Sequence, residues 1–187
     1  MRKEKANGDI NCYSVYYYGN CICDYCEMNI LALDVGTVAS GFCLMDIETF
    51  QPYFFGKKEN DELIELVKTE KYGVLVYEAF ASYGMAVGQS TIQSIQWNGR
   101  FIQCALDRGI DVYPIYRRDE KINLCGSMKA KDSNIRQALI DRFAFFDYNN
   151  GKGTKLNQDF FYGFSKDAWS AFAIGTTYID LRGERND

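Results

Sequence analysis

Three acidic residues stand where chemistry could gather. Asp34 closes the apolar run Asn29 to Asp34 (NILALD) and is followed at once by Val35-Gly36-Thr37, a glycine turn that leaves room for a ligand. Glu78 closes Gly73 to Glu78 (GVLVYE) in the same way, and Asp167 opens the last helical stretch, where the helix dipole favours a negative group. Singly, each has an ordinary explanation: a turn cap, a solvated strand end, a helix-start residue. Together, two acids closing apolar strands and a third on an Ala-rich helix point to a metal site, because hard oxygen ligands suit Mg²⁺. The chain has no histidine. That removes Ser-His and Cys-His catalysis, histidine bases and histidine metal sites, and leaves carboxylates, lysine, tyrosine or cysteine to do any chemistry.

A second constellation is basic. Between Arg117 and Arg136 six cations (Arg117, Arg118, Lys121, Lys129, Lys131, Arg136) face three acids (Asp119, Glu120, Asp132), a local net of +3 inside a chain of formal net charge −4. Such a patch attracts phosphate, although the acidic body argues against non-specific coating of nucleic acid. Lys131 is the strongest phosphate candidate, beside a glycine-serine turn where backbone can approach phosphate; a solvated loop explains Arg117 and Arg118 equally well. After Glu78 an uncharged, glycine-punctuated segment carries Phe80, Tyr83 and Met85. Exposed, these aromatics would stack on bases; packing into the core is the alternative, and the stronger one for Phe80. Cys12, Cys21, Cys23 and Cys26 could form a Cys₄ zinc site, with Cys23-x-x-Cys26 a recognised half. The competing view takes Met28 as the start and the residues before it as a readthrough without a fold.

Elements must position these groups. At 187 residues, 47% of them apolar, the chain suits one ordinary domain. Residues 1–28 show no period and read as an N-terminal extension to a domain over 29–187. Strands are predicted at Asn29 to Asp34, Gly41 to Ile47, Gln51 to Phe55, Gly73 to Glu78 and Asp111 to Tyr116. Helices are predicted at Asp61 to Thr69, at Gln89 to Asp107 with Ile92, Ile95, Gly99, Ile102 and Leu106 at helical spacing and Gly99 permitting close approach to a neighbouring backbone, at Ser133 to Phe143 capped by Asp132 or Ser133, and at Lys166 to Asp180. Residues 145–165 read as irregular. Three successive strands followed by alternating helix and strand predict an α/β fold: a five-stranded mixed sheet, its first three strands antiparallel, flanked by helices. No secretory signal or membrane-length apolar run is visible, and the seven scattered cysteines read as reduced thiols. A cytoplasmic protein, in a bacterial or phage-infected cell, is expected.

In order and spacing, ILALDVGTVASG, VLVYEAF, the lysine-bearing KINLCGSMKAKDSNIRQAL and KDAWSAFAIG resemble the motifs of RuvC-like Holliday-junction resolvases, most of all their phage and prophage branch. The likeness spans about residues 29 to 180. It implies an RNase H-like fold and an endonuclease that cuts branched or four-way DNA as a homodimer, in recombination, repair or phage DNA processing. It also implies two Mg²⁺ or Mn²⁺ ions, bridged by Asp34 and held separately by Glu78 and Asp167, one activating a water and the other stabilising the leaving 3′ oxygen. Lys121 and Lys131 match the family's two lysines, with Lys131 among the catalytic set, and Lys129, Arg117 and Arg118 extend the DNA-binding surface. The family's last helix carries a second acid where this chain has Ser170, a weak Mg²⁺ ligand.

Rival readings share the same residues. The Asp34-Val-Gly-Thr opening also resembles RNA-processing nucleases of the YqgF type, and Ser170 is compatible with a non-catalytic junction-binding module. The actin, Hsp70 and sugar-kinase ATPases begin similarly, but need two such domains and a second glycine-rich phosphate loop that this chain lacks.

Overall fold

A computed structural model describes residues 29–82, 84 and 86–183, together with the backbone of two short antiparallel strands, β1 (Val15–Tyr17) and β2 (Asn20–Ile22). Three strands follow in sequence: β3 (Asn29–Asp34), β4 (Ala39–Asp46) and β5 (Pro52–Glu59). They form an antiparallel meander. Helix α1 (Asn60–Thr69) leads to β6 (Val74–Ala79), and α2 (Gln89–Leu106) leads to β7 (Asp111–Tyr116), both strands parallel to β3. The chain then runs through α3 (Arg117–Cys125), α4 (Asp132–Phe143) and α5 (Lys166–Gly183). The sheet order is β5-β4-β3-β6-β7, the five-stranded mixed sheet that the element order predicts.

Alternation along the strands decides which face each residue serves. Ile30, Ala32, Cys43, Met45, Val76 and Ile115 point to the side covered by α4 and α5, whereas Leu31, Leu33, Phe42, Leu44 and Leu75 point to α1 and α2. Helix α5 lies closest to the sheet, as its Ala- and Gly-rich face predicts. A Cβ on Gly41 of β4 would meet the carbonyl oxygen of Asp167 at 2.4 Å, so the first turn of α5 rests directly on the strand at a position only glycine allows. Residues 145–165 are irregular, yet not loose. The Asp159 carboxylate accepts bonds from the backbone N–H groups of Phe145, Phe146 and Phe160, and Phe161 and Phe164 are buried against Trp169 and Phe172. No helix among the described residues is long and apolar enough to cross a membrane.

Several sequence expectations are corrected. Helix α2 buries Asn98, Phe101 and Ala105, while Ile92 and Ile95 are two-fifths exposed, Leu106 is exposed, and Gly99 faces open space. The helix carries two apolar stripes, and the one containing Phe101 faces the sheet. Strand β5 continues to Glu59, four residues past its expected end, which brings Lys57 into the sheet. Helix α3 replaces part of what reads as a polar stretch; it ends at Gly126, whose φ of 65° is the left-handed cap glycine provides. The cap of α4 is Lys131 rather than Asp132 or Ser133.

Candidate functional site

Strands β3 and β6 are adjacent and parallel, with Leu33 paired to Tyr77, so Asp34 and Glu78 follow side by side at the same strand ends. The alternation that turns Ala32 and Val76 toward α5 turns these two acids the same way. The turn after Asp34 is held by a closed ring of hydrogen bonds. Gly36 N–H donates to Ser40 Oγ (3.1 Å), Ser40 Oγ donates to Asn60 Oδ1 (2.5 Å), and Asn60 Nδ2 donates to the Gly36 carbonyl (3.1 Å). Ser40 and Asn60 are buried, so the ring is rigid. In the antiparallel register Asp34 lies opposite Gly41, and Gly41 opposite Lys57. The gap over Gly41 admits α5, and Lys57 Nζ meets Asp167 Oδ1 at 3.1 Å. The Ser170 hydroxyl, one turn along α5, lies near enough to Asp34 to favour its charged form.

Burial and like charge dominate the electrostatics. Burial raises the pKa of Asp34, with Asp167 and Asp132 pushing the same way against the Ser170 hydroxyl and Arg117. Burial, then repulsion from Asp34, lifts Glu78 to about 7. Glu120, the buried residue of α3, is raised chiefly by burial and opposed by Arg117. These acids press on one another with few cations among them, an imbalance that a bound divalent cation relieves. The donors are all hard oxygens, and they fit Mg²⁺ or Mn²⁺. Among the described residues no group of three or more Asp, Glu or Cys side chains gathers tightly enough to hold a metal ion by itself. The expected trio Asp34, Glu78 and Asp167 therefore does not close into a ready ligand set, and Asp167 is paired with Lys57 instead.

This imbalance has a measurable consequence. Because Glu78 binds its proton more tightly in the folded state (about 7) than in the unfolded chain (4.5), it contributes stability below that window and loses it as pH rises through it, on the order of 3 kcal/mol at most. The metal-free protein should therefore melt lower at about pH 8 than at about pH 5.5, Glu78→Gln should flatten the slope, and Mg²⁺ should raise the melting temperature more at the higher pH. Melting curves across pH that are unchanged by Glu78→Gln would rule this out.

A cleft of about 400 Å³ opens beside Glu78, lined among others by Phe80, Ser94, Asn98, Arg117 and Arg118. Phe80 is nearly half exposed there, which overturns core packing as its role. Asn98 is buried; its Nδ2 donates to the Glu78 carbonyl while its Oδ1 has no protein partner. Arg118, Lys129 and Lys131 are exposed and Lys121 half-buried. Arg117 differs from the free basic residue expected: its guanidinium bonds Glu120 and Asp132. Arg136 lies over the Trp169 ring at 5.6 Å. Tyr83, Met85, Cys12, Cys23 and Cys26 lie outside the described residues, as does the side chain of Cys21. Lys57, Asn98 and Glu120 escaped the sequence reading. Lys57 was hidden by the strand end assigned to Phe55, and Glu120 by being a charged residue on the inward face of a helix.

Five strands in this order and direction, with α5 laid across the first, define the RNase H-like fold. Among solved structures, the fold is similar to those of RuvC and a mitochondrial junction resolvase. Thermus thermophilus RuvC superposes with a TM-score of 0.62 at 13% identity, over 84% of this chain and 97% of that one. The same protein in complex with Holliday junction substrate gives 0.61 at 12%, over 84% and 96%. The yeast mitochondrial Holliday junction resolvase Ydc2 gives 0.54 at 11%, over 84% and 81%. Neither a protein-family model nor a curated protein matches the sequence.

Proposed function

We propose that the chain is a metal-dependent endonuclease acting on branched DNA, in the manner of the junction resolvases whose fold it shares. The observation that carries this reading is the pair Asp34 and Glu78, two buried, mutually repelling carboxylates at adjacent parallel strand ends, with the first turn of α5, which carries Asp167, resting over Gly41 opposite Asp34. Asp34, Glu78 and Asp167 would hold Mg²⁺ or Mn²⁺, with Ser170 a weak additional oxygen. Bound there, the metal supplies charge neutralisation and a more acidic water for phosphodiester hydrolysis. The chain's own groups position the strand: the Ser40–Asn60 ring holds Asp34, Phe80 offers a stacking face beside Glu78, and Arg118, Lys121, Lys129 and Lys131 supply positive charge for phosphate. The setting is the reducing cytoplasm, in which Cys43, Cys104 and Cys125 remain thiols.

The test compares four-way DNA, flapped DNA and structured RNA with Mg²⁺ or Mn²⁺ against a chelator control. Metal-dependent incision of four-way DNA is expected, favoured over the other two. Preference for RNA would move the chain to the RNA-processing nucleases, and tight binding without incision would make it the non-catalytic module that Ser170 permits.

A resolvase cuts two symmetric strands, which calls for two copies related by a two-fold axis. The outer stripe of α2 supports this. Ile92, Ile95, Gly99, Ile102 and Leu106 repeat at alternating steps of three and four, the seam along which helices pair, with Ile92, Ile95 and Leu106 exposed and open space over Gly99. Ile95→Glu should convert the dimer to monomer in sedimentation without changing the melting temperature by more than about 5 °C. A dimer that survives Ile95→Glu would place the interface elsewhere.

A further inference from the structure

Arg117 opens α3 with its guanidinium spanning two carboxylates of opposite character. Nη1 donates to both oxygens of Glu120, at 2.8 and 2.7 Å, and Glu120 is wholly buried. Nη2 donates to Asp132, the first residue of α4, whose side chain is 75% exposed. The two bonds differ in how easily they are replaced. The inner one is charge-assisted and shielded from water, and breaking it would strand a carboxylate in the core. The outer one is an ion pair with a solvated partner that contributes little to stability. Arg117 is therefore anchored by one edge and only lightly engaged by the other.

Its location gives the outer edge a purpose. Arg117 lines the cleft that holds Glu78, Phe80 and Arg118, and also a smaller one that holds Asp132, Lys166 and Ser170. It thus borders both the cleft beside Glu78 and the smaller one beside Ser170. A guanidinium fork recognises a phosphodiester by the same planar hydrogen bonds it makes to a carboxylate. Asp132, exposed and on the outer side, is the chain's own stand-in for such an anion.

We propose that Arg117 is a phosphate-binding residue of the cleft, that Glu120 positions it, and that Asp132 is a built-in competitor displaced by a backbone phosphate of the incoming strand. The proposal rests on the reading of the chain as a nucleic-acid-cleaving protein, and it assigns to Asp132 an autoinhibitory contact that this reading does not require.

Binding of labelled four-way DNA, measured without divalent ions over a range of salt, tests it. Asp132→Asn should tighten binding about five-fold, the factor corresponding to an exposed ion pair, and steepen the salt dependence by about one counterion. In a background carrying Arg117→Gln with Glu120→Gln, which keeps an amide pair in place of the buried ions, Asp132→Asn should change affinity by less than about 1.5-fold. If that background does not fold, Arg117→Lys serves in its place: it keeps the charge but loses the fork, and should forfeit most of the gain. Equal tightening by Asp132→Asn in both backgrounds would mean simple removal of negative charge and would overturn the competitor role, as would no gain or a loss in the wild-type background. Wild-type protein that melts cooperatively yet retains no junction, with Asp132→Asn no better, would defeat the nuclease reading as well, so the two failures are distinguishable.

Discussion

Asp34→Asn should reduce Mg²⁺-dependent incision of four-way DNA by roughly 10³-fold or more, since several kcal/mol of transition-state stabilisation depend on the metal, while junction binding in chelator stays within about three-fold. The substitution keeps the shape of the side chain and an oxygen that can accept the Ser170 hydroxyl, but removes the charge. Burial and the neighbouring Asp167 and Asp132 make that charge unfavourable in the metal-free fold. Asp34→Asn should therefore melt no lower than wild type at neutral pH, and higher if the strain is large. Lost cleavage, intact binding and undiminished stability together identify a ligand rather than a structural residue. Single-turnover cleavage, gel shift and thermal melting read the three quantities separately; retained cleavage would refute the role given to Asp34.

Arg117→Ala should destabilise the fold by about 3 kcal/mol or more, because it strands the Glu120 carboxylate in the core. The loss should depend on pH. An unpaired buried carboxylate escapes part of its penalty by taking up a proton, so the difference from wild type should be smaller at about pH 5 than at about pH 8. Replacing both partners, Arg117→Met with Glu120→Leu, should cost far less, since neither charge remains to be desolvated. Urea unfolding at the two pH values measures all three proteins. Equal losses in the single and double variants, or a single-variant loss below about 1 kcal/mol, would show that the pair does not neutralise a buried charge.

How far the site could be read from residues alone depended on the kind of residue involved. Asp34 and Glu78 were legible because each ends a run of apolar residues with strand spacing; either alone has an ordinary structural reason to be there, and it is their combination that points to a shared site. Asp167 was legible through the small residues that follow it on α5. Lys57 was not, because a strand at the edge of the sheet alternates weakly: Tyr53 and Phe54 are both exposed, so its end could not be placed by pattern. Helix α3 was missed for a related reason. Its inward residue is Glu120, and a helix that buries a carboxylate carries no apolar stripe to announce it. On α2 the pattern was present twice, and periodicity alone could not say which stripe met the sheet.

The sequence by itself determined the succession of strands and helices along the chain, the mixed five-stranded sheet with its antiparallel first three strands, the close seat of α5 and the ends at which Asp34 and Glu78 stand, because these follow from short-range alternation, strand length and the small residues of one helix. Tertiary structure decided what surrounds those ends. Lys57 reaches Asp167 only across a register that spans three strands, Arg117 joins Glu120 to Asp132 only once α3 and α4 have docked, and the outer stripe of α2 is outer only because Phe101 has been buried instead. The physical difference is that an apolar pattern records how much of an element is hidden from water, whereas the partner of a buried charge is chosen by geometry among residues far apart in the chain.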